Sequence, residues 1–116
     1  MKVLKFGGTS VGSAQRMKNV AKLICNGEKK IVVLSAMSGT TNSLLEIADY
    51  FYKSNLDGAL EHIITLENKY SDVVEELLTT EEKRQEARSI LSSHFDYLRS
   101  FAKSVFTIFE EKANSI

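Results

Sequence analysis

Proline and tryptophan are absent from the 116 residues of this sequence, and cysteine occurs once. Because proline interrupts helices, its absence favours long helical segments and argues against proline-rich linkers. Basic and acidic residues balance at 15 each, so no charged surface suited to nucleic acid or to an anionic membrane is indicated. No apolar run approaches the roughly 20 residues that a membrane span requires. We therefore expect no nucleic acid and no membrane as partners, and a small molecule or a protein instead.

The length of the chain suits one small domain with a modest core. Met1 leads directly into an apolar segment, without the features of an export leader, and we expect a cytoplasmic protein. The single cysteine, Cys25, falls on the apolar side of a predicted helix. We therefore predict a buried, unreactive thiol at this position.

A glycine-rich stretch, KFGGTSVGS at residues 5–13, lies between a predicted strand and a predicted helix and contains three of the six glycines. Glycines at such a turn let the backbone approach a ligand, and the turn amides together with the helix dipole can bind phosphate. Lys5 could neutralise the charge of a transferring phosphoryl group. The lysine precedes the glycines and Thr9 replaces an alternate glycine, so neither a Walker P-loop nor a dinucleotide fingerprint is present. A turn that serves only the packing of strand and helix is the alternative.

The first 35 residues predict a βαβ unit. Residues 2–6 form a strand, Ser13 caps a helix with an apolar stripe, and residues 31–34 form an apolar strand that we expect to be covered on both faces. The stripe consists of Met17, Val20, Ala21 and Ile24. Because ligands bind at the carboxyl ends of parallel strands, the loops after both strands should share one edge of the sheet.

A second loop, SAMSGTTN at residues 35–42, precedes a helix for which Ser43 and Glu46 have the spacing of a capping box. This helix should break near residues 54–55, and two long amphipathic helices should then form a hairpin. Thr79 and Glu82 have the spacing of a second capping box, before the last helix. We divide the chain into a βαβ unit at 1–53 and a helical hairpin at 54–116. Two strands against four helices suggest an incomplete α/β domain.

The motifs Lys-Phe-Gly-Gly-Thr-Ser-Val and, about thirty residues later, Val-Val-Leu-Ser-Ala with Gly-x-Thr-Asn resemble the N-terminal part of the catalytic domain of the aspartate kinases. This family belongs to the amino-acid kinase superfamily, whose fold is a three-layer αβα domain. The resemblance implies that ATP, with Mg²⁺ bound through the nucleotide, phosphorylates the β-carboxylate of L-aspartate to 4-phospho-L-aspartate. This reaction is the first step of lysine, threonine and methionine synthesis.

The resemblance also assigns roles to residues of this sequence. Lys5 corresponds to the catalytic lysine that stabilises the transferring phosphoryl group and contacts the nucleotide, while Ser35 corresponds to a position near both phosphate and aspartate. Thr41 corresponds to an aspartate-binding position. The remaining ATP-binding positions are Gly7, Gly8, Thr9 and Ser10. His62 and His94 have no helical neighbour that would complete a metal pair, so we assign no metal site to the protein side chains.

The family pattern continues with a Gly-Glu motif, substrate-side Arg and Asp residues and regulatory domains that these 116 residues do not contain. We therefore expect a fragment, covering about the first third of a catalytic domain, that is inactive alone and comes from a homo-oligomeric enzyme. Two alternatives stay open. One is a superfamily member with a different acceptor, and the other is a non-catalytic module that assembles through its exposed helices.

Overall fold

The structure is a computed structural model that describes residues 1–114, so the last two residues of the predicted hairpin lie outside the described residues. Two strands and four helices follow one another along the chain. They are β1 (Lys2–Phe6), α1 (Ala14–Ile24), β2 (Lys30–Leu34), α2 (Thr40–Tyr52), α3 (Leu56–Leu77) and α4 (Glu81–Asn114). The α/β fold, with an N-terminal βαβ unit followed by a helical hairpin, is confirmed. The division of the chain at residues 53 and 54 stays a prediction.

The two strands pair in parallel, with Leu4 opposite Val32 and Phe6 opposite Leu34. Ser13 has extended backbone and its hydroxyl accepts a hydrogen bond from the amide of Arg16 at 3.2 Å, so the predicted cap of α1 is confirmed. Val20 is the buried member of the predicted apolar stripe on this helix. The helix of the βαβ unit thus begins at the cap that its local sequence predicts.

The expectation that β2 is covered on both faces is wrong for this chain. On the side of the sheet towards α1, Leu4 and Val32 are half-buried, although Leu34 at its end is 56% exposed. The opposite side is open, with Val3, Ile31 and Val33 exposed by 64, 50 and 44%. Among the described residues, no helix packs on this open face.

Cys25 also departs from expectation: it follows the last residue of α1 as its C-cap and is exposed rather than buried.

The main core lies between the last three helices. Its fully or almost fully buried members are Ile47, Ala59, Ile63, Leu66, Phe95 and Ala102. Asn55 ends the predicted break by capping α3, because its side-chain oxygen accepts from the Gly58 amide at 2.9 Å. The start of α4 is shifted from the predicted capping box: Thr80, not Thr79, accepts from the Lys83 amide at 3.3 Å.

Ion pairs join the two arms of the hairpin. Arg99 of α4 donates to both carboxylate oxygens of Glu67 on α3, at 2.8 and 3.4 Å, and Arg84 and Arg88 pair with Glu75 further along α3. Hydrogen bonds from Arg99 to Glu67 and Asp96 raise the pKa of its guanidinium.

Within the described residues, none of the helices combines the length and the apolar character needed to cross a bilayer.

Candidate functional site

Two loops leave the sheet at the same edge. The first loop, residues 7–13, follows β1, and the second loop follows β2 at residues 35–39. Because Phe6 and Leu34 are paired, the two segments leave this edge of the sheet side by side. The Ser35 amide continues the strand pairing by donating to the Phe6 carbonyl at 3.0 Å. The predicted meeting of the loops at the carboxyl edge is therefore what the backbone shows.

The first loop is a tight turn closed on its own backbone. The Gly7 carbonyl accepts from the amides of Ser10 and Val11 at 3.1 and 3.3 Å, and the buried side chain of Val11 anchors the turn. Within the part of the chain that the structure describes, the amides of Gly8 and Thr9 donate to no protein acceptor. Two adjacent free amides ahead of a helix are the donors that an anion requires.

The glycines of this loop have different surroundings. A β-carbon on Gly12 would lie 3.1 Å from the Gly8 carbonyl oxygen and 3.1 Å from Cβ of Ser38, and one on Gly8 would lie 3.4 Å from the Ala36 carbonyl oxygen. Gly8 and Gly12 therefore let the two loops pack closely. A β-carbon on Gly7 would meet nothing within 4 Å, and the φ of Gly7 is not positive. Packing explains two of these glycines and leaves Gly7 without a structural requirement.

Lys5 lies on β1 opposite Val33, on the open face of the sheet, and is exposed. Its ammonium group forms no hydrogen bond or ion pair with any of the described residues. Thr9 and Ser10, in the first loop after β1, are exposed as well. The ammonium group is therefore available to an anionic ligand at this edge.

The second loop ends earlier than its sequence predicts. Gly39, with φ of +86°, is the N-cap of α2 and provides no side-chain cap, so Ser43 and Glu46 lie inside the helix. The predicted capping box is wrong, because Glu46 instead pairs with His62 of α3 at 3.0 Å. Thr41 is the second residue of α2 and is exposed, and Ser35 is exposed with its hydroxyl donating to the Ala36 carbonyl at 3.1 Å.

Two residues of this segment that carried no predicted role are buried. Met37 is 6% exposed, and Thr40 is 8% exposed with its hydroxyl 2.6 Å from the Tyr70 hydroxyl of α3. Two basic residues missed by sequence reasoning also contact the loops. Arg16 donates to the Thr9 carbonyl at 2.7 Å, and Lys69 donates to the Ser38 carbonyl at 2.7 Å. Lys69 is 31 residues away along the chain, and no local pattern could have indicated its contact.

The structure thus brings the loops together through Gly8, Gly12 and residues 35–38. Neither Lys5 nor Thr41 forms a side-chain hydrogen bond to the loops in residues 1–114. Among the side chains that the structure describes, no group of three or more His, Cys, Asp or Glu residues is arranged to hold a metal ion.

Comparison with known proteins identifies the family. The family model described as "Amino acid kinase family" matches residues 1–109. Aspartokinase 1, chloroplastic, of Arabidopsis thaliana is 36% identical over 133 aligned residues, which cover 98% of this chain and 23% of that protein.

Two further relatives match shorter segments. Aspartokinase 3, chloroplastic, of the same plant is 64% identical over 45 residues, covering 37% of this chain and 8% of the relative. Aspartate kinase of Pseudomonas putida is 42% identical over 67 residues, covering 54% of this chain and 16% of the relative. The chain therefore spans less than a quarter of the length of each of these curated relatives.

Proposed function

This chain belongs to the amino acid kinase family, and we propose that it is part of an aspartate kinase, which transfers the γ-phosphoryl group of ATP to the β-carboxylate of L-aspartate. The relatives that match it carry the names aspartokinase or aspartate kinase. On this proposal the product is 4-phospho-L-aspartate, and the reaction opens lysine, threonine and methionine synthesis. A cytoplasmic, homo-oligomeric enzyme is part of the same proposal.

One observation carries the nucleotide-binding role: the free amides of Gly8 and Thr9 lie just beyond the strand that bears the unpaired Lys5. Phosphoryl transfer depends mainly on positioning and on neutralising charge, so amide donors and one ammonium group are suitable chemistry. We assign the ATP phosphates to Gly7, Gly8, Thr9 and Ser10. The open space at Gly7 supports this role, since a side chain there would compete only with a ligand.

In the proposed mechanism, Lys5 holds its positive charge against the γ-phosphoryl oxygens as negative charge redistributes during transfer. The amides of the first loop orient the phosphate chain without a change in protonation. Mg²⁺, bound through the nucleotide, supplies further neutralisation of phosphate charge. Ser35 and Thr41 on the second loop and α2 are the proposed contacts for L-aspartate, and Ser35 also lies near the phosphate.

We further propose that these 116 residues do not catalyse the transfer alone. Lys5, Thr9 and Ser10 are all exposed, and the sheet face next to them is open. Water is therefore not excluded from the reacting groups, and electrostatic stabilisation of the transition state is weak in a solvated site. Binding and catalysis are separate expectations for this chain.

Isothermal titration of the chain with Mg-ATP tests the nucleotide site. We expect saturable binding that Lys5→Ala weakens by about tenfold or more, as expected for loss of a charge-assisted contact. Lys2→Ala is the matched control, because Lys2 is an exposed lysine on the same strand at its opposite end. Folded wild-type chain without saturable binding, or equal affinities for the two variants, would contradict the proposal.

The choice of acceptor needs a separate measurement. We expect L-aspartate to shift the amide resonance of Thr41 in a ¹H–¹⁵N spectrum, with L-glutamate as the matched ligand carrying one more methylene. A larger response to glutamate would favour the alternative of a related kinase with another acceptor.

A further inference from the structure

Two consecutive residues of α3 contact the junction between the second loop and α2. Lys69 donates through Nζ to the Ser38 carbonyl at 2.7 Å, and the Tyr70 hydroxyl is 2.6 Å from the Thr40 hydroxyl. The residues contacted, Ser38 and Thr40, stand on either side of Gly39. One short stretch of α3 therefore contacts the junction at two points.

Local structure leaves this junction weakly fixed. Gly39 adopts a left-handed conformation and gives α2 no side-chain cap, so the first turn of the helix lacks the stabilisation that Ser or Asp would provide there. The Lys69 ammonium covers Gly39 closely, because a β-carbon on that glycine would lie 3.2 Å from Nζ. The positive end of the helix dipole disfavours a nearby cation, so the carbonyl contact rather than the dipole explains the position of Lys69.

The contact made by Tyr70 is largely shielded from water. Thr40 is 8% exposed, and a buried hydroxyl without a partner is costly, so the Tyr70 hydroxyl fixes where Thr40 can lie. The Tyr70 ring in turn packs against Phe95 of α4, with ring centroids 6.0 Å apart. The support for the junction thus extends into the helical hairpin.

We propose that Lys69 and Tyr70 are positioning residues that hold the second loop and the start of α2 in place, and through them set the position of Thr41. The inference rests on the proposed function, in which Thr41 contacts L-aspartate. It also gives the hairpin a role at the site: α3 supplies the two contacts and α4 supports one of them. Neither residue is expected to touch substrate.

Hydrogen exchange of the ligand-free chain tests the holding role. The informative amides are Thr40, bonded to the Met37 carbonyl, and Ser43, bonded to the Gly39 carbonyl. We expect Lys69→Met and Tyr70→Phe each to accelerate exchange at these two amides by about tenfold, the scale of one lost hydrogen bond. The Ala59 amide, bonded to the Asn55 carbonyl in the first turn of α3, should exchange at the wild-type rate.

Matched substitutions separate positioning from a general loss of stability. Lys103→Met removes an exposed lysine from α4, and Tyr97→Phe removes the hydroxyl of an exposed tyrosine, so both should leave all three amides unchanged. Lys69→Arg keeps a cationic donor and should restore slow exchange. Wild-type rates at Thr40 and Ser43 in both test variants, or equal acceleration at Ala59, would overturn the proposal.

A titration with L-aspartate distinguishes this inference from the proposed function. If the wild-type Thr41 amide responds to aspartate, Lys69→Met should raise the dissociation constant about tenfold, and Lys69→Arg should return it toward wild type. If the wild type does not respond while exchange accelerates as expected, the holding role stands and the assignment of Thr41 to aspartate fails. A response to aspartate that Lys69→Met leaves unchanged would overturn the positioning role.

Discussion

Gly12 and Ser38 meet where the two loops of the candidate site cross, and a β-carbon on Gly12 would lie 3.1 Å from Cβ of Ser38. This contact joins the turn after β1 to the turn after β2, and Gly8 adds a second close approach. Gly7 lies in the same turn, but a β-carbon on it would meet nothing within 4 Å. In the glycine-rich stretch, Gly8 and Gly12 therefore allow close packing of the loops, whereas Gly7 leaves open space.

Alanine substitutions should separate these two roles. Gly12→Ala is expected to lower the free energy of unfolding by about 1–3 kcal/mol, because the added methyl group would lie only 3.1 Å from the Gly8 carbonyl oxygen and from Cβ of Ser38. Gly7→Ala should change it by less than about 0.5 kcal/mol, yet weaken Mg-ATP binding. Urea denaturation and titration calorimetry measure the two effects. Equal destabilisation by both substitutions would contradict the division.

Much of the fold follows from local sequence patterns. The strand at residues 2–6, the cap at Ser13 and the helix break near Asn55 all depend on residues within a few positions of one another. The loop at residues 5–13 was found for the same reason, since glycines, a strand end and a helix start are adjacent in the chain. The roles of its residues in binding stay predictions.

The predictions that the structure contradicts concern places where residues distant in the sequence determine the local structure. The start of α2 was misplaced because Thr40 is fixed by Tyr70, which is 30 residues away, and Glu46 is drawn to His62 rather than to a cap. The burial of Met37 and the contact of Lys69 with Ser38 have the same origin. The apolar residues of β2 predicted two covered faces, but covering a face needs packing partners, which sequence composition does not reveal.

The start of α4 provides a direct test of cap placement. Thr80→Ala should lower the free energy of unfolding by about 0.5–1 kcal/mol, because its hydroxyl accepts from the Lys83 amide at 3.3 Å. The neighbouring Thr79→Ala is the matched control and should have an effect below about 0.5 kcal/mol. Thermal and urea unfolding would both detect the difference. The reverse order of effects would support the capping box predicted from sequence.

The pairing of Arg99 with Glu67 should set the alignment of α3 against α4. Each side chain is 25% exposed, and the guanidinium uses both terminal nitrogens, so the pair is stronger than a solvated one. Arg99→Met should lower the free energy of unfolding by about 1–2 kcal/mol, and Arg99→Lys by roughly half as much, because lysine keeps the charge but loses the fork.

Lys83→Met is the control for this pair, since Lys83 and Glu86 are 64 and 57% exposed and should contribute less than about 0.5 kcal/mol. The pKa of Arg99 is raised by hydrogen bonds to Glu67 and Asp96, so we expect the arginine to stay charged at pH 7 and at pH 9. A basic group whose pKa is raised in the folded state contributes stability that is fully present below its unfolded-state pKa. This stability is lost only as the pH rises through the folded-state pKa. The difference in free energy of unfolding between wild type and Arg99→Met should therefore be equal at pH 7 and pH 9. A difference that is smaller at pH 9 than at pH 7 would show that Arg99 is not the charged partner.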